Sequence, residues 1–449
     1  MSSFTNLMSP IKIGPVELKN RYVVAPMNET FAGAAGEATP QCISYFAARA
    51  KGGFGLVTTG AIMGTKLASR YVWGRNLFLF SPLHVQGLHQ LCETAHYFGA
   101  QIAAQMTVGF GRQGHSDDHH ELVPAATGGL PYEQALEKQP KLICDIPKKQ
   151  ESARPYLVGQ NTYAMSIEEI HHEQKEYARS VQLALLCGFD VIEIHGPHGY
   201  LEHQFLSPLT NKRTDMYGGS WHNRKRFLIE VAEQTRYAAG YGVAVGCRIS
   251  AEEHMEGGLT REEMIDLAQE LEACGMDYIS LSDGGGYEEA GHLVPDLDRW
   301  EHYPDQAADF KKALKIPVMF AGAHDPVQAD SLIAQGKTDL IALGRQSFID
   351  PELPNKVAEG RIDEILRCKR CNMCLSRALA GAGPRCPSNP VLGREYAMPE
   401  YQIGPRKPGE PFMPRGVAAG YPALERPWWK QEVPYMEKSP TPFRGPGPR

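Results

Sequence analysis

The chain contains no apolar run long enough to span a bilayer, and its N-terminus, MSSFTNLMSPIKIGP, lacks a basic flank followed by an apolar core. Neither a membrane span nor a secretory leader is therefore expected. Basic charge is not in excess either: the net charge of −6 gives no reason to expect nucleic acid or an acidic membrane as partner. No strand-like segment runs through a GxGxxG into a helical pattern, so nothing here suits dinucleotide binding in the Rossmann manner. With 449 residues, 22% of them charged, the composition fits one large soluble domain with a small extension, and a cytoplasmic location is expected. Of the 10 cysteines, Cys42, Cys92, Cys144, Cys187, Cys247 and Cys274 are scattered singly and read as small buried hydrophobes.

What the chain does contain is a regular alternation of strand and helix patterns. Short runs rich in Val, Ile and Ala stand at 21–27, 55–61, 101–106, 190–196, 243–250, 278–285, 317–323 and 339–346, as parallel strands covered on both faces require. Helical patterns fall between them. The stretch at 166–188 opens with Ser166 and Glu169 as a capping box, 223–240 follows, and 260–275 opens with Thr260 and Glu263. Eight such units predict an α/β fold, a (β/α)8 TIM barrel over residues 1–360; an open doubly wound sheet is the alternative.

Two regions break the rhythm. After strand three, residues 107–160 form an insertion too rich in Gly, His and Asp for regular structure, and its place at the C-terminal mouth makes it a candidate lid. His115, His119 and His120 within it lack firm metal-ligand spacing and read as a solvated cluster. From 391 to 449 the chain turns to Pro, Gly and charge, a tail expected to run extended over a surface of its own or of a partner. Its Trp428 and Trp429 argue that part of it docks.

Cys368, Cys371, Cys374 and Cys386 lie in CKRCNMCLSRALAGAGPRCP, within a segment at 361–390 just past the last strand. Three thiolates in successive CxxC steps, a fourth from a later loop, and Pro387 after it favour a [4Fe-4S] cluster. A zinc site built from the same four thiolates is the alternative, although zinc ribbons more often use two separated CxxC pairs.

The motifs LKNRYVVAPM, HGPHGYLEHQFLSP and TDMYGGSWHNRKRF, with AG and GR near strands seven and eight, give the chain a specific resemblance over roughly residues 5–390. It resembles the Old Yellow Enzyme family of FMN-dependent oxidoreductases. More narrowly, it is similar to the iron–sulfur branch that includes 2,4-dienoyl-CoA reductase, 2-enoate reductase and trimethylamine dehydrogenase.

The resemblance implies FMN. It would set Pro26, Met27 and Gly60 against the flavin ring, Gln105 at the pyrimidine edge, and Arg248 beside N1 and O2, where negative charge develops on reduction. A salt bridge inside the barrel is the bland reading of Arg248, but a buried Arg at a strand's catalytic end needs a partner. Gly322, Gly344 and Arg345 would form the phosphate site after strands seven and eight. His195 and His198 match the pair that grips a substrate carbonyl oxygen, and Tyr200 matches the proton donor. Hydride from flavin N5 to the β-carbon of an activated alkene builds enolate charge, which two imidazoles can stabilise and a phenol can quench by protonating the α-carbon.

The chain also departs from the family. Asn28 replaces the cysteine through which trimethylamine dehydrogenase bonds its flavin, so the FMN is expected to be noncovalent. QMTVGFGR stands for the usual QLxHxGR, with Val108 at the His position and an added residue before Arg112. The loop DGGGYEEAGHLVP offers Tyr287, Glu288 and His292 without a secure match. Relatives continue into a flavin and pyridine-nucleotide domain that is not in this sequence, so a separate electron-donor subunit or electron-transfer protein is expected, within a homo- or hetero-oligomer. Three readings follow. The first is an ene-reductase acting on an α,β-unsaturated carbonyl compound or acyl thioester, fed through the cluster. The others are an oxidative N-methyl amine dehydrogenase and an electron-relay subunit. Intact His195, His198 and Tyr200 count against a relay, which needs no proton donor, and strand six offers only Tyr287 toward an aromatic bowl for an amine.

Overall fold

The structure is a computed structural model describing residues 4–72, 74–114, 123–127, 162–254, 256–283, 303–379 and 381–403. The histidine cluster at 115–120, the loop bearing Tyr287, Glu288 and His292, Cys144, and the tail with Trp428 and Trp429 lie outside the described residues.

All eight expected strands form. In chain order the barrel strands are Tyr22–Val24, Leu56–Thr58, Gln101–Thr107, Val191–His195, Ala244–Ser250, Tyr278–Ser282, Val318–Ala321 and Leu340–Leu343. Each pairs in parallel with the next. The eighth pairs with the first, Ile341 opposite Tyr22 and Leu343 opposite Val24, so the sheet closes. Closure excludes the doubly wound alternative and abolishes sheet edges.

The expected helices run Ile167–Cys187, Trp221–Ala239 and Arg261–Ala273, and both capping boxes, Ser166 with Glu169 and Thr260 with Glu263, are present. One helix that the sequence reading did not single out, Pro40–Lys51, is capped by Thr39, whose hydroxyl accepts from Cys42 N. Inside the stretch expected to lack regular structure, Val123–Ala125 pairs in parallel with Thr162–Ala164. The apolar Val-Pro-Ala run suits a short buried strand better than the polar residues around it.

Alternation along the strands divides the core. Outward residues such as Ile192 and Ile194 pack under the helices. Inward residues Val23, Leu56, Ala103, Val191, Ala244 and Leu340 pack with Ile13 and Leu18 from an N-terminal hairpin, Ile11–Ile13 against Val16–Leu18. This hairpin plugs the end of the barrel where the strands begin. Two and four residues further on, the same inward face turns polar: Gln105 follows Ala103, Glu193 and His195 follow Val191, Arg248 follows Ala244, and Ser282 follows Tyr278. The polar end is the C-terminal mouth, where barrel enzymes keep their chemistry. Of the scattered cysteines, Cys42, Cys92, Cys187, Cys247 and Cys274 are buried as expected. No helix among the described residues is long and apolar enough to cross a membrane.

Candidate active site

His195 ends strand four and stands opposite Arg248 in the register with strand five. It is 3% exposed, and both of its ring nitrogens are buried without a hydrogen-bond partner. Burial first, then the Arg248 charge and His203, push its pKa well below the ordinary histidine value, so the imidazole is neutral. His198 and Tyr200 complete the group, with ring centroids 5.3 and 4.9 Å from that of His195. The turn between them is tight. His198 takes φ 67, an uncommon conformation for a non-glycine residue, and Gln113 Nε2 donates to its carbonyl at 2.7 Å.

Tyr200 lies at the start of the helix Leu201–Leu206 and meets Phe110 edge-on at 4.7 Å. Phe110 belongs to the departing segment after strand three, and that segment is clasped to the helix. Glu202 accepts from Val108 N at 2.7 Å and from Thr107 Oγ1 at 3.0 Å, while Gln204 Nε2 donates to Phe110 O and Gln204 Oε1 accepts from Arg112 N. Burial raises the Glu202 pKa to about 8 against these hydrogen bonds. Val108, where the family has a histidine, is itself 2% exposed.

Below this layer Gln105 Nε2 donates to Glu193 Oε1 at 2.8 Å, and Tyr278 OH donates to Glu193 Oε2 at 2.9 Å. Burial raises the Glu193 pKa, while Arg248, Tyr278 and Gln105 oppose the shift. Arg248 is 7% exposed, its Nε is buried without a partner, and its Nη2 donates to Ser282 Oγ at 3.3 Å. Ser282 Oγ also lies 2.6 Å from His198 Nε2. The sequence reading missed Ser282 and Glu193. Glu193 carried a signal, a carboxylate inside the buried run VIEIH that must find partners. Ser282 carried none, since its partners lie 34 and 84 residues away.

Glycines let the remaining elements converge. At Gly60 a Cβ would lie 2.4 Å from the Met27 carbonyl oxygen, and at Gly344 one would lie 3.3 Å from Met27 Sδ. The turn at Pro26–Met27 is thus wedged between the ends of strands two and eight. The Gly322 N–H donates to Ala342 O at 3.1 Å, so this glycine can serve an anion only by its bareness. Arg345 does not stand alone: its Nη1 donates to Asn372 Oδ1 at 2.5 Å, tying strand eight's loop to the cysteine segment. Burial, Arg370 and Arg345 together lower the nearby His324 pKa to about 4.

These features fit a flavin. Buried His195 imidazole nitrogens and an Arg248 guanidinium nitrogen without partners, at the mouth where the Pro26–Met27 turn closes against Gly60 and Gly344, suit a flat polar group bearing negative charge at one edge.

In the cysteine segment, Cys368 is half-buried, Cys371 exposed, Cys374 buried and Cys386 half-buried. Arg370 N donates to Cys368 Sγ at 3.5 Å, with Arg370 and Asn372 at φ 54 and 55 shaping the loop. The Cys374 thiol is raised to about 11 by burial, with Arg345 and the Leu375 backbone opposing and Cys368 and Cys371 adding to the rise. Among the described residues no group of three or more His, Cys, Asp or Glu side chains is disposed to hold a metal ion. The donor set suits iron and sulfide chemically, and the ligand set rests on the cysteine spacing.

Residues 6–364 match the NADH:flavin oxidoreductase / NADH oxidase family. The chain is 34% identical over 420 residues to NADH oxidase from Thermoanaerobacter brockii, covering 91% of this chain and 59% of that protein. It is 32% identical to cinnamate reductase from Clostridium sporogenes, covering 87% and 58%. A 2-naphthoyl-CoA reductase in complex with 2-naphthoyl-CoA superposes with TM-score 0.75 at 30% identity, covering 90% and 59%. The chain thus spans about three fifths of the length of these relatives. The resemblance read from the motifs is borne out: this chain belongs to the NADH:flavin oxidoreductase / NADH oxidase family.

Proposed function

We propose that the chain forms the FMN- and [4Fe-4S]-carrying part of an ene-reductase acting on an α,β-unsaturated carbonyl compound or acyl thioester. The observation that carries this reading is the gathering of His195, His198 and Tyr200 beside Arg248 at one barrel mouth.

Pro26, Met27, Gly60 and Gln105 would hold the flavin ring, Arg248 would face its N1 and O2 edge, and Gly322, Gly344 and Arg345 would hold the phosphate. Cys368, Cys371, Cys374 and Cys386 would hold the cluster. When bound, the flavin supplies hydride chemistry and the cluster one-electron transfer. The protein's own contribution is electrostatic and protonic. His195 and His198 offer N–H groups to the carbonyl oxygen, where enolate charge develops in a site shielded from water. Tyr200 gives its hydroxyl proton to the α-carbon as general acid. Phe110 and the Glu202-braced segment exclude water beside it.

An amine-binding role finds less support, because among the described residues the mouth offers permanent positive charge in Arg248 rather than a cage for a cation. A separate electron donor would reduce the site through the cluster.

Anaerobic purification with iron, zinc and flavin analysis tests the cofactors, and mixing the reduced protein with cinnamate, enoyl thioesters and enones tests the chemistry. About four irons and one releasable FMN, as such a cluster and a noncovalent flavin require, with flavin reoxidised by an alkene, is the expected result. Zinc in place of iron would overturn the electron path, and a flavin bleached by a methylated amine would overturn the direction.

A further inference from the structure

Three hydrogen-bonding groups from three different elements meet at the mouth: Arg248 on strand five, Ser282 at the tip of strand six, and His198 in the turn after strand four. Arg248 Nη2 lies 3.3 Å from Ser282 Oγ, and Ser282 Oγ lies 2.6 Å from His198 Nε2. We propose that Ser282 is a positioning residue that fixes the tautomer of His198, keeping Nε2 bare and the imidazole proton on Nδ1.

Counting protons sets the direction of these bonds. A guanidinium only donates, so the Arg248 contact occupies a lone pair of Ser282 Oγ. A serine hydroxyl has one proton, and among the described residues its oxygen has only these two side-chain partners. If His198 were protonated at Nε2, both neighbours would donate to the same oxygen and the hydroxyl proton would have no acceptor in a half-buried place. If Nε2 is bare, the chain runs in one direction, Arg248 to Ser282 to His198, and the hydroxyl proton has its acceptor. The short 2.6 Å separation agrees with a hydroxyl donating to an imidazole nitrogen polarised by a cation behind it. The backbone supports the arrangement, since Gln113 Nε2 holds the carbonyl of His198 while the residue sits at φ 67.

The consequence for chemistry is specific. A neutral histidine has one N–H to offer, and orienting groups decide which nitrogen carries it. With Nε2 committed to Ser282, the one N–H of the neutral His198 ring is Nδ1–H. Any use of that proton on a substrate oxygen rests on the reading given under Proposed function, whereas the tautomer is a property of the protein without substrate.

The test is a long-range proton–nitrogen NMR spectrum of the whole flavin-loaded chain, labelled with 15N in its histidine rings and recorded at pH 8. The His198→Gln variant identifies the pair of resonances that belongs to His198. The expected result is a protonated Nδ1 and an unprotonated Nε2 in the parent protein, loss of that fixed assignment to averaged tautomers in Ser282→Ala, and its return in Ser282→Thr, which restores the hydroxyl. A proton on Nε2 in the parent, or averaged tautomers there, would overturn the proposal even if neither Ser282 variant folded. An unchanged spectrum in Ser282→Ala would overturn it as well. None of these outcomes depends on whether an alkene or an amine reacts with the flavin, so the substrate reading can fail separately.

Discussion

Arg49 and Glu395 stand 346 positions apart in sequence and form an ion pair at 2.8 Å with their side chains 0% and 3% exposed. The Arg49 guanidinium also lies 3.8 Å from the centre of the Tyr45 ring and donates to the Tyr45 carbonyl. The chain beyond the cysteines is held to the helix Pro40–Lys51 by this pair, by Gln41 Nε2 donating to Gly393 O, and by Gln402 Nε2 donating to Ser44 Oγ. Replacing Glu395 by Ala would leave a buried cation without its ion-pair partner, a loss of roughly 3–5 kcal/mol. Chemical denaturation should show the midpoint falling accordingly, and an unchanged midpoint would show that the pair contributes nothing.

Gly60→Ala should reduce flavin retention without unfolding the barrel. The added methyl would meet the Met27 carbonyl oxygen at 2.4 Å, so one of the two loops has to move. Flavin content of the purified variant, compared with far-ultraviolet dichroism, checks this. Full flavin content would mean that this close approach does not shape the ring site.

Tyr200→Phe separates proton transfer from everything else. Reduction of the flavin should be preserved, while its reoxidation by an unsaturated substrate slows by about 10²- to 10⁴-fold, the usual contribution of a positioned acid. Stopped-flow traces of the two half-reactions make the comparison. Equal slowing of both would point to a packing role against Phe110 instead.

Glu29 is a buried carboxyl two residues past Met27, in contact with Cys42 Sγ at 3.3 Å. Burial raises its pKa to about 7 from an ordinary 4.5, opposed by its backbone, Cys42 and Arg49. The folded state therefore holds this proton more tightly than the unfolded chain does. The stability it confers is complete below about pH 4.5 and is lost as pH rises through 7. Glu29→Gln should remove that slope and leave the protein more stable above pH 7, by an amount on the order of 3 kcal/mol for such a shift. Urea titrations at pH 5 and pH 8 read the difference directly, and parallel curves for parent and variant would refute it.

The barrel was legible because its eight strands carry their own signal: each is a short aliphatic run, and both capping boxes mark helix starts locally. The mouth was legible only where residues sit inside contiguous motifs, as His195, His198 and Tyr200 do. Contacts that join distant segments left no trace. Ser282 reads as an ordinary serine ending YISLS, and Glu202 as one polar residue in YLEHQF, until folding sets them beside His198 and Val108. The N-terminal hairpin was likewise missed, because three-residue strands are too short to show a period and gain their stability from plugging the barrel.

The bond from Arg345 to Asn372 joins the loop of the last barrel strand to the turn between Cys371 and Cys374, and Gln346 grips the same segment through Leu366 O and Cys368 N. The cysteines are therefore mounted on the barrel rim and not carried on a swinging tether. Any redox group seated on them would exchange electrons with the mouth across a gap set by the fold, at a rate indifferent to solvent viscosity. Diffusion would govern only the arrival of a donor carried on a separate molecule.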